Sequence, residues 1–448
     1  MLEQIRIHAG FGHGAGNRLK SVRDEIGEVC HGAEFGPGFS QGGYLCRERV
    51  RTLNENNGLR QTPVVDCPEI ILPILLSGRR ARDWTSLYSG LRGGSRAQAM
   101  GQAKEPPRAT IVLTTRDRYS LMRDSIANLY DNTAYPFDLV VVTGAAPGRV
   151  RRWCDEEAAR RGFRHVAVDR PLTPAEARNT GIEHATGEYI AFVENDIMYR
   201  KGWLEALVTC GDETGAGMIA PLTCEGRPIH TIVHHMGPEE NNNETLDDAG
   251  DGHKDFHEDF YLQGNTLDEI QPHLKRRRTQ SVEMHCFMVR RSLFDRIGTF
   301  DPDIVSKEYL DFSWRAREAG ESIWFEPTSV ITFLIPSEED PVRMVDLPYF
   351  LLRWSRSWQK RSHDALKAKW NMQEDGFISY RRSLADWRIV DHVTKPTLSH
   401  VPVVGKRWGF VHRAAVPVNF CLNAASNLMA WRYDRARGGK GKKGDHAT

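Results

Sequence analysis

Glu194-Asn195-Asp196 places two carboxylates on either side of one residue, directly after the apolar run Glu188 to Val193 (EYIAFV). Such a run reads as a buried strand. In open α/β sheets, ligands bind beyond the carboxyl ends of the strands. Two acids at that place can share a hard divalent cation, Mg2+ or Mn2+, and such a cation also bridges phosphate oxygens. A diphosphate leaving group needs that neutralisation as its bond to carbon breaks. An isolated E-N-D is more often a pair of solvated acids, so its meaning depends on its surroundings.

Other chemistry-bearing residues read more plainly. His285-Cys286 precedes Arg290-Arg291 and could point into the acceptor side, but a histidine on such a strand is more often a satisfied core residue. His230, His234 and His235 resemble a metal cluster, but they fall in a long acidic stretch with no cysteine pair. They read as a solvated loop or an acceptor lid. Trp354, Trp358 and Trp370 stand mostly at helical spacing and read as a packing face. Val411 to Trp431 is amphipathic and is followed by Arg432, Arg435, Arg437, Lys440, Lys442 and Lys443, a pattern compatible with peripheral contact to anionic lipid.

The elements that must position these residues alternate at βαβ spacing. Ala109 to Thr115 is a strand and Ser120 to Tyr130 a helix. Asp138 to Thr143 is a strand, Val150 to Arg161 a helix, and Arg164 to Asp169 a third strand. Thr173-Pro174-Ala175-Glu176 is a capping box with proline at the first helical position, so a helix starts there and runs to about Ala185. The expectation is a doubly wound, mostly parallel α/β sheet over residues 106–335. Within it, 222–282 reads as a long polar insert. Strand Met284 to Arg290, helices Ser292 to Ile297 and Glu308 to Ala319, and strands Ile323 to Phe325 and Ser329 to Phe333 come after it. Residues 1–105 hold 16 of the 39 glycines and read as an irregular extension. Residues 336–448 read as helical, with apolar residues of Leu347 to Met372 mostly at helical spacing and a basic, disordered tail from Arg432.

Composition excludes several classes. Across 448 residues, 40% are hydrophobic and 27% charged, the balance of a globular protein. Net charge is +1, and beyond Arg276-Arg277-Arg278 and the tail nothing suggests a nucleic-acid partner. Eight cysteines without a C-x-x-C pair suit reduced thiols in the cytoplasm. Met1-Leu2-Glu3-Gln4 does not read as a signal peptide, and no apolar run approaches the roughly 20 residues a membrane span needs.

Five motifs in order carry a resemblance. Ala109 to Arg118 (ATIVLTTRDR) looks like an opening strand and nucleotide loop. Ala177-Arg178-Asn179-Thr180-Gly181-Ile182 with Ala185 to Phe192 (ATGEYIAF), Glu194-Asn195-Asp196, Arg290 to Asp301 (RRSLFDRIGTFD), and Glu308 to Arg315 with Gly320 complete the set. Together they resemble family 2 glycosyltransferases of the GT-A fold, over about residues 106–335. The resemblance implies a nucleotide-diphosphate sugar donor, a glycan or lipid-linked acceptor, and inverting transfer assisted by Mg2+ or Mn2+. It implies that Thr115, Arg116 and Asp117 lie near base and ribose, and that Arg178 and Asn179 lie on the diphosphate side. Asp196 would ligate the metal, with Glu194 touching metal or ribose. Glu308 or Asp311 would be the general base. These acids, three apart on a helix, can share a face, although acids also favour a helix N-terminus for its dipole. The chain departs from the family at Val142-Thr143-Gly144-Ala145, where "DDGS" is usual, at Tyr309, where a second acid is usual, and at Thr332-Phe333-Leu334, where a histidine is often found. Those departures support a second reading, a non-catalytic sugar-nucleotide-binding or scaffold protein with a degenerate site.

Overall fold

A computed structural model describes residues 107–237, 244–248, 252, 254–258, 261–337, 340–372, 387–399 and 408–441. The expected extension over 1–105, with Cys30, Cys46 and Cys67, lies outside them. The described residues fall in one unit, 98–448.

Twelve strands succeed one another: β1 (Ala109–Thr114), β2 (Phe137–Gly144), β3 (Arg164–Val168), β4 (Tyr189–Glu194), β5 (Ile197–Tyr199), β6 (Met218–Glu225), β7 (Ile232–His235), β8 (Glu244–Asp248), β9 (Lys254–Glu258), β10 (Arg277–Thr279), β11 (Cys286–Arg290) and β12 (Ile323–Phe333). The main sheet runs β10-β12-β6-β11-β4-β1-β2-β3, with β5 on β12 and β7 on β6. β8 and β9 form a separate antiparallel hairpin. β1 is parallel to β2 and β4, and β2 to β3. The other half is mixed, because β11 runs antiparallel to both β4 and β6. The parallel expectation therefore holds for the βαβ half. In the other half β11 is reached from β6 through a long connection and runs against both of its neighbours.

The helices are α1 (Met122–Asn132), α2 (Gly148–Arg161), α3 (Pro174–Ile182), α4 (Trp203–Thr214), α5 (Ser292–Ile297), α6 (Glu308–Glu318), α7 (Leu347–Arg353), α8 (Arg356–Trp370) and α9 (Trp408–Gly441). The central strands are apolar on both faces because both are covered. Ile111, Leu113, Ala191 and Val193 face one core with Trp203 and Leu207 of α4. Val112, Ile190 and Phe192 face the other with Phe294, Phe300 and Phe312. Gly181 shows why α3 carries glycine there: an added Cβ would stand 2.2 Å from Val112 Cγ1. The helix therefore lies directly on β1. The capping box at Thr173 and Glu176 forms as expected, and the helix ends at Ile182.

Several expectations need correction. The 222–282 insert is partly ordered structure, with β7, the β8–β9 hairpin, a helical turn Leu267–Ile270 and β10. The two strands expected over 323–333 are one strand whose register shifts between Glu326 and Val330, across Pro327. The helical stretch from Leu347 is two helices, because Ser355 caps a new start by accepting from Trp358 N–H. The tail stays helical to Gly441. The C-terminal helices α8 and α9 pack on each other through Trp358 against Tyr433, and α8 packs on the α/β region through Trp370 against Trp314.

Candidate active site

In-register pairing puts Thr114 of β1 beside Glu194 of β4, so both strands end at one level. Asn195, to which the sequence assigns no role, ties together the two loops that leave these strands. Its Oδ1 accepts from Arg116 N–H at 3.1 Å and its Nδ2 donates to the Arg118 carbonyl at 2.6 Å. The loop Thr115 to Arg118 is thereby fastened over the Glu194–Asp196 turn.

Charges converge there in a closed space. Arg116 stands 3.5 Å from Glu194 and 3.3 Å from Asp196. Arg118 stands 3.8 Å from Asp196 and 3.7 Å from Asp117. Arg178 of α3 donates to the Met284 carbonyl at 2.8 Å, lies 3.7 Å from Glu194, and pairs with Glu308 at the start of α6. Exposure is 2% for Arg116 and Glu194 and 0% for Asp196 and Glu308. Burial raises Glu194 well above the usual carboxylate range and raises Asp196 as well, against the pull of Arg116. Asp117 goes the other way. Burial alone would raise it, but Arg116, Arg118 and the Trp354 hydrogen bond outweigh burial and hold it low.

The acids suit a divalent cation. Asp196 Oδ1 is buried without a hydrogen-bond partner. Glu194, Asp196 and His285 offer ligand atoms within 4.8 Å of one another. A buried orphan carboxylate oxygen beside a second carboxylate is the donor set that Mg2+ or Mn2+ takes.

Thr115, Arg116, Asp117, Arg178, Glu194, Asp196 and Glu308 thus lie together at the strand ends, all buried. Asn179 and Asp311 lie elsewhere. Asn179 exchanges both amide groups with the Phe300 backbone, at 2.8 and 3.0 Å, and fixes the turn after α5. Asp311 is turned away from the cluster: Trp370 Nε1 donates to it at 2.9 Å, Arg315 at 3.0 Å, and Lys369 lies 2.9 Å away. Three residues separate it from Glu308, but on α6 they send the two acids to different neighbours.

Sequence reasoning missed other members. His285 is no ordinary core histidine: its Nδ1 lies 2.8 Å from Glu194 Oε2, and its ring stacks on Phe333 at 3.9 Å. The expected solvated histidine loop is instead β7 packed on β6, with His235 buried and His234 edge-on to Phe333 at 4.6 Å. Arg353 and Trp354 come from the end of α7. Trp354 Nε1 donates to Asp117 at 3.0 Å, and Arg388 lies 3.8 Å over the Trp354 ring. Arg353 is fully buried, and none of its guanidinium nitrogens has a hydrogen-bond partner among the described residues. The adjacent cation-indole dipeptide Arg353-Trp354 was the only signal available in sequence.

Residues 110–298 match the model for glycosyl transferase family 2. A pre-mycofactocin glycosyltransferase of Mycobacterium tuberculosis is 28% identical over 158 residues, 35% of this chain and 29% of that protein. An uncharacterized protein of Sinorhizobium fredii, y4gI, is 23% identical over 301 residues, 64% of this chain and 30% of that protein. The chain thus spans less than a third of the length of these relatives. The solved structure of GalNAc-T7 with UDP, GalNAc and Mn2+ has a TM-score of 0.41 and 13% identity, over 67% of this chain and 59% of that one. The family 2 match ends before Glu308, Phe333, Arg353 and Trp354, so part of the charged cluster is built by residues beyond it.

Proposed function

We propose that this protein transfers a sugar from a nucleotide-diphosphate sugar to an acceptor hydroxyl in glycan or glycoconjugate synthesis, with inversion. The observation that carries the proposal is the buried convergence of Glu194, Asp196 and Glu308 with Arg116, Arg118 and Arg178 at the ends of β1 and β4. Paired cations suit a diphosphate, and paired acids suit the divalent ion that accompanies it.

Thr115, Arg116 and Asp117 form the loop for base and ribose. Arg178 and Arg353 face the diphosphate as cations, and Arg353 in particular is a buried cation whose donors are unused. Asp196 and Glu194 hold Mg2+ or Mn2+, which when bound would neutralise the leaving diphosphate. Glu308 takes the acceptor's proton, because of the two candidate acids it alone lies in the cluster, and its Oε2 has no hydrogen-bond partner. Arg178 on Oε1 holds that carboxylate oriented. The acceptor is a glycan or a lipid-linked glycan. Among the described residues no helix is long and apolar enough to cross a membrane. Contact with a membrane would be peripheral, through α9, where Val416, Phe420 and Trp431 are 65%, 75% and 54% exposed.

The test is a thermal-shift panel of UDP-, GDP- and TDP-sugars with Mn2+, then nucleoside diphosphate release for each donor that binds. Asp196→Ala should abolish release and the Mn2+-dependent part of the shift while leaving the protein folded. Undiminished turnover in that variant removes the metal assignment. Donor binding without turnover by the wild type, with any acceptor offered, favours the degenerate-site reading.

A further inference from the structure

Next to the charged cluster, the ends of β7 and β11 bring together two histidines and an acid that the proposed transfer leaves unused. His234 lies on β7. Glu283 and His285 lie just before β11. One ligand atom from each lies within 4.8 Å of the others.

The hydrogen bonds around them fix which atoms are offered. His285 Nδ1 lies 2.8 Å from Glu194 Oε2 and His234 Nδ1 lies 2.8 Å from Glu225 Oε2. Each Nδ1 is thus turned to a carboxyl group, which leaves Nε2 as the ring nitrogen to be offered to a metal. Glu283 is held likewise: its Oε2 accepts from His285 backbone N–H at 2.8 Å. Its Oε1 then stands 3.6 Å from His285 Nε2. A ring nitrogen and a carboxylate oxygen at that distance can share a cation. Ligand atoms about 2.1 Å from a tetrahedral ion lie roughly 3.4 Å apart, so this pair is close to coordination spacing already. The rings are also set by packing. His285 stacks on Phe333 at 3.9 Å, His234 meets Phe333 edge-on at 4.6 Å, and the imidazoles cross at 63° with centroids 5.5 Å apart.

We propose that His234, Glu283 and His285 form a binding site for a borderline transition-metal ion, Zn2+ in preference to Mg2+, separate from the ion between Glu194 and Asp196. Two imidazoles and one carboxylate select Zn2+-class ions over hard cations. A carboxylate behind each imidazole, Glu225 and Glu194, is the arrangement that orients metal-binding histidines and makes them better donors. Such a site has three protein ligands and leaves a fourth position open. Bound metal would tie β7, and the 226–282 segment it begins, to the strand end that carries Glu194. Glu194 would thus face the donor-side ion with one oxygen and support His285 with the other.

The test uses the full chain stripped of metal, with Zn2+ alone as the probe in competition with a chromophoric chelator. Wild type and Asp196→Asn should each bind one Zn2+ with the same affinity. His234→Ala and Glu283→Gln should bind it at least about tenfold more weakly, and Glu225→Gln about 10- to 100-fold more weakly. Zn2+ should raise the unfolding temperature of wild type and not of His234→Ala. Should His234→Ala fail to fold, His234→Asp, which keeps a ligand, must still bind Zn2+. Equal affinity in wild type and His234→Ala overturns the site. Loss of Zn2+ in Asp196→Asn with retention in His234→Ala also overturns it, by placing the ion at the donor site.

Discussion

Glu308 and Asp311 are equivalent by sequence position, and paired substitutions separate them. Glu308→Gln keeps an oxygen for Arg178 but removes the base, leaving Glu194, 3.7 Å from Arg178, as the nearest anion. Loss of a general base costs about 10²–10⁴ in rate. The expected result is a turnover loss in that range with donor affinity changed by less than about threefold, since binding does not use the base. Asp311→Asn does the opposite. It removes the charge that Lys369 at 2.9 Å and Arg315 at 3.0 Å share, while the Trp370 hydrogen bond at 2.9 Å can persist. Breaking a fully buried pair costs about 3–5 kcal/mol. Lys369 and Arg315 are 32% and 16% exposed, so solvent takes over part of their solvation and about 2 kcal/mol is the better expectation. For a folding unit of this size that lowers the unfolding midpoint by roughly 3 °C, with turnover per folded molecule unchanged. The assay is nucleoside diphosphate release from whichever donor gives the largest thermal shift, run beside thermal unfolding of both variants. Retained turnover in Glu308→Gln, or lost turnover with unaltered stability in Asp311→Asn, refutes the division of labour.

The same geometry sets three further outcomes. Arg353→Met should weaken donor binding about tenfold or more, the worth of a charge-assisted hydrogen bond to phosphate, without lowering stability, since an unpartnered buried cation is replaced by an apolar chain; isothermal titration and unfolding of the variant check both. His392 is buried beside Phe350 and Trp387, and burial, then Arg388, holds its imidazole well below the usual range, with Arg116, Arg118 and Asp117 also near. Its folded pKa is lower than its unfolded one, so stability is lost as pH falls below about 6.5, by up to about 1.4 kcal/mol per unit; midpoints at pH 7.5 and 5.5 should fall less in His392→Phe, and equal falls would exclude this cause. Phe420→Glu with Trp431→Glu should reduce co-sedimentation with vesicles containing anionic lipid, and unchanged sedimentation would remove α9 as a membrane contact.

Legibility in the sequence tracked the range of the interactions involved. The βαβ half announced itself through apolar runs and the Thr173–Glu176 capping box because those signals are local, and the structure reproduces them within a few residues. The acids at the end of β4 were legible because a strand end fixes where they lie. What failed to read was set by contacts distant in sequence. His285 resembled a core residue until β4 was laid antiparallel beside β11, which sets Cys286 against Val193 and brings the preceding histidine to Glu194. Asn179 and Asp311 fit a motif, yet their partners, the Phe300 backbone and the end of α8, lie 121 and 59 residues away.

Long-range contact is also why the chemistry is not contained in the segment that matches family 2. Asp117 stays ionised in a buried place through Arg116, Arg118 and the indole of Trp354, and that last group lies more than fifty residues past the end of the match. Arg116 itself lies 5.0 Å from the Phe333 ring and 6.0 Å from that of Trp354, and Arg388 lies 3.8 Å over the indole. With Glu194 and Asp196 at 2% and 0% exposure, the donor entry proposed above requires that this aromatic and guanidinium cover move. Displacing Trp354 would release Asp117 from its hydrogen bond and Arg116 from its ring contact together, and the diphosphate would supply an anion to Arg353, whose donors have no hydrogen-bond partner among the described residues. On that proposal donor entry and cover movement are one equilibrium. A donor shifts that equilibrium only by as much as it binds the open form better than the closed one.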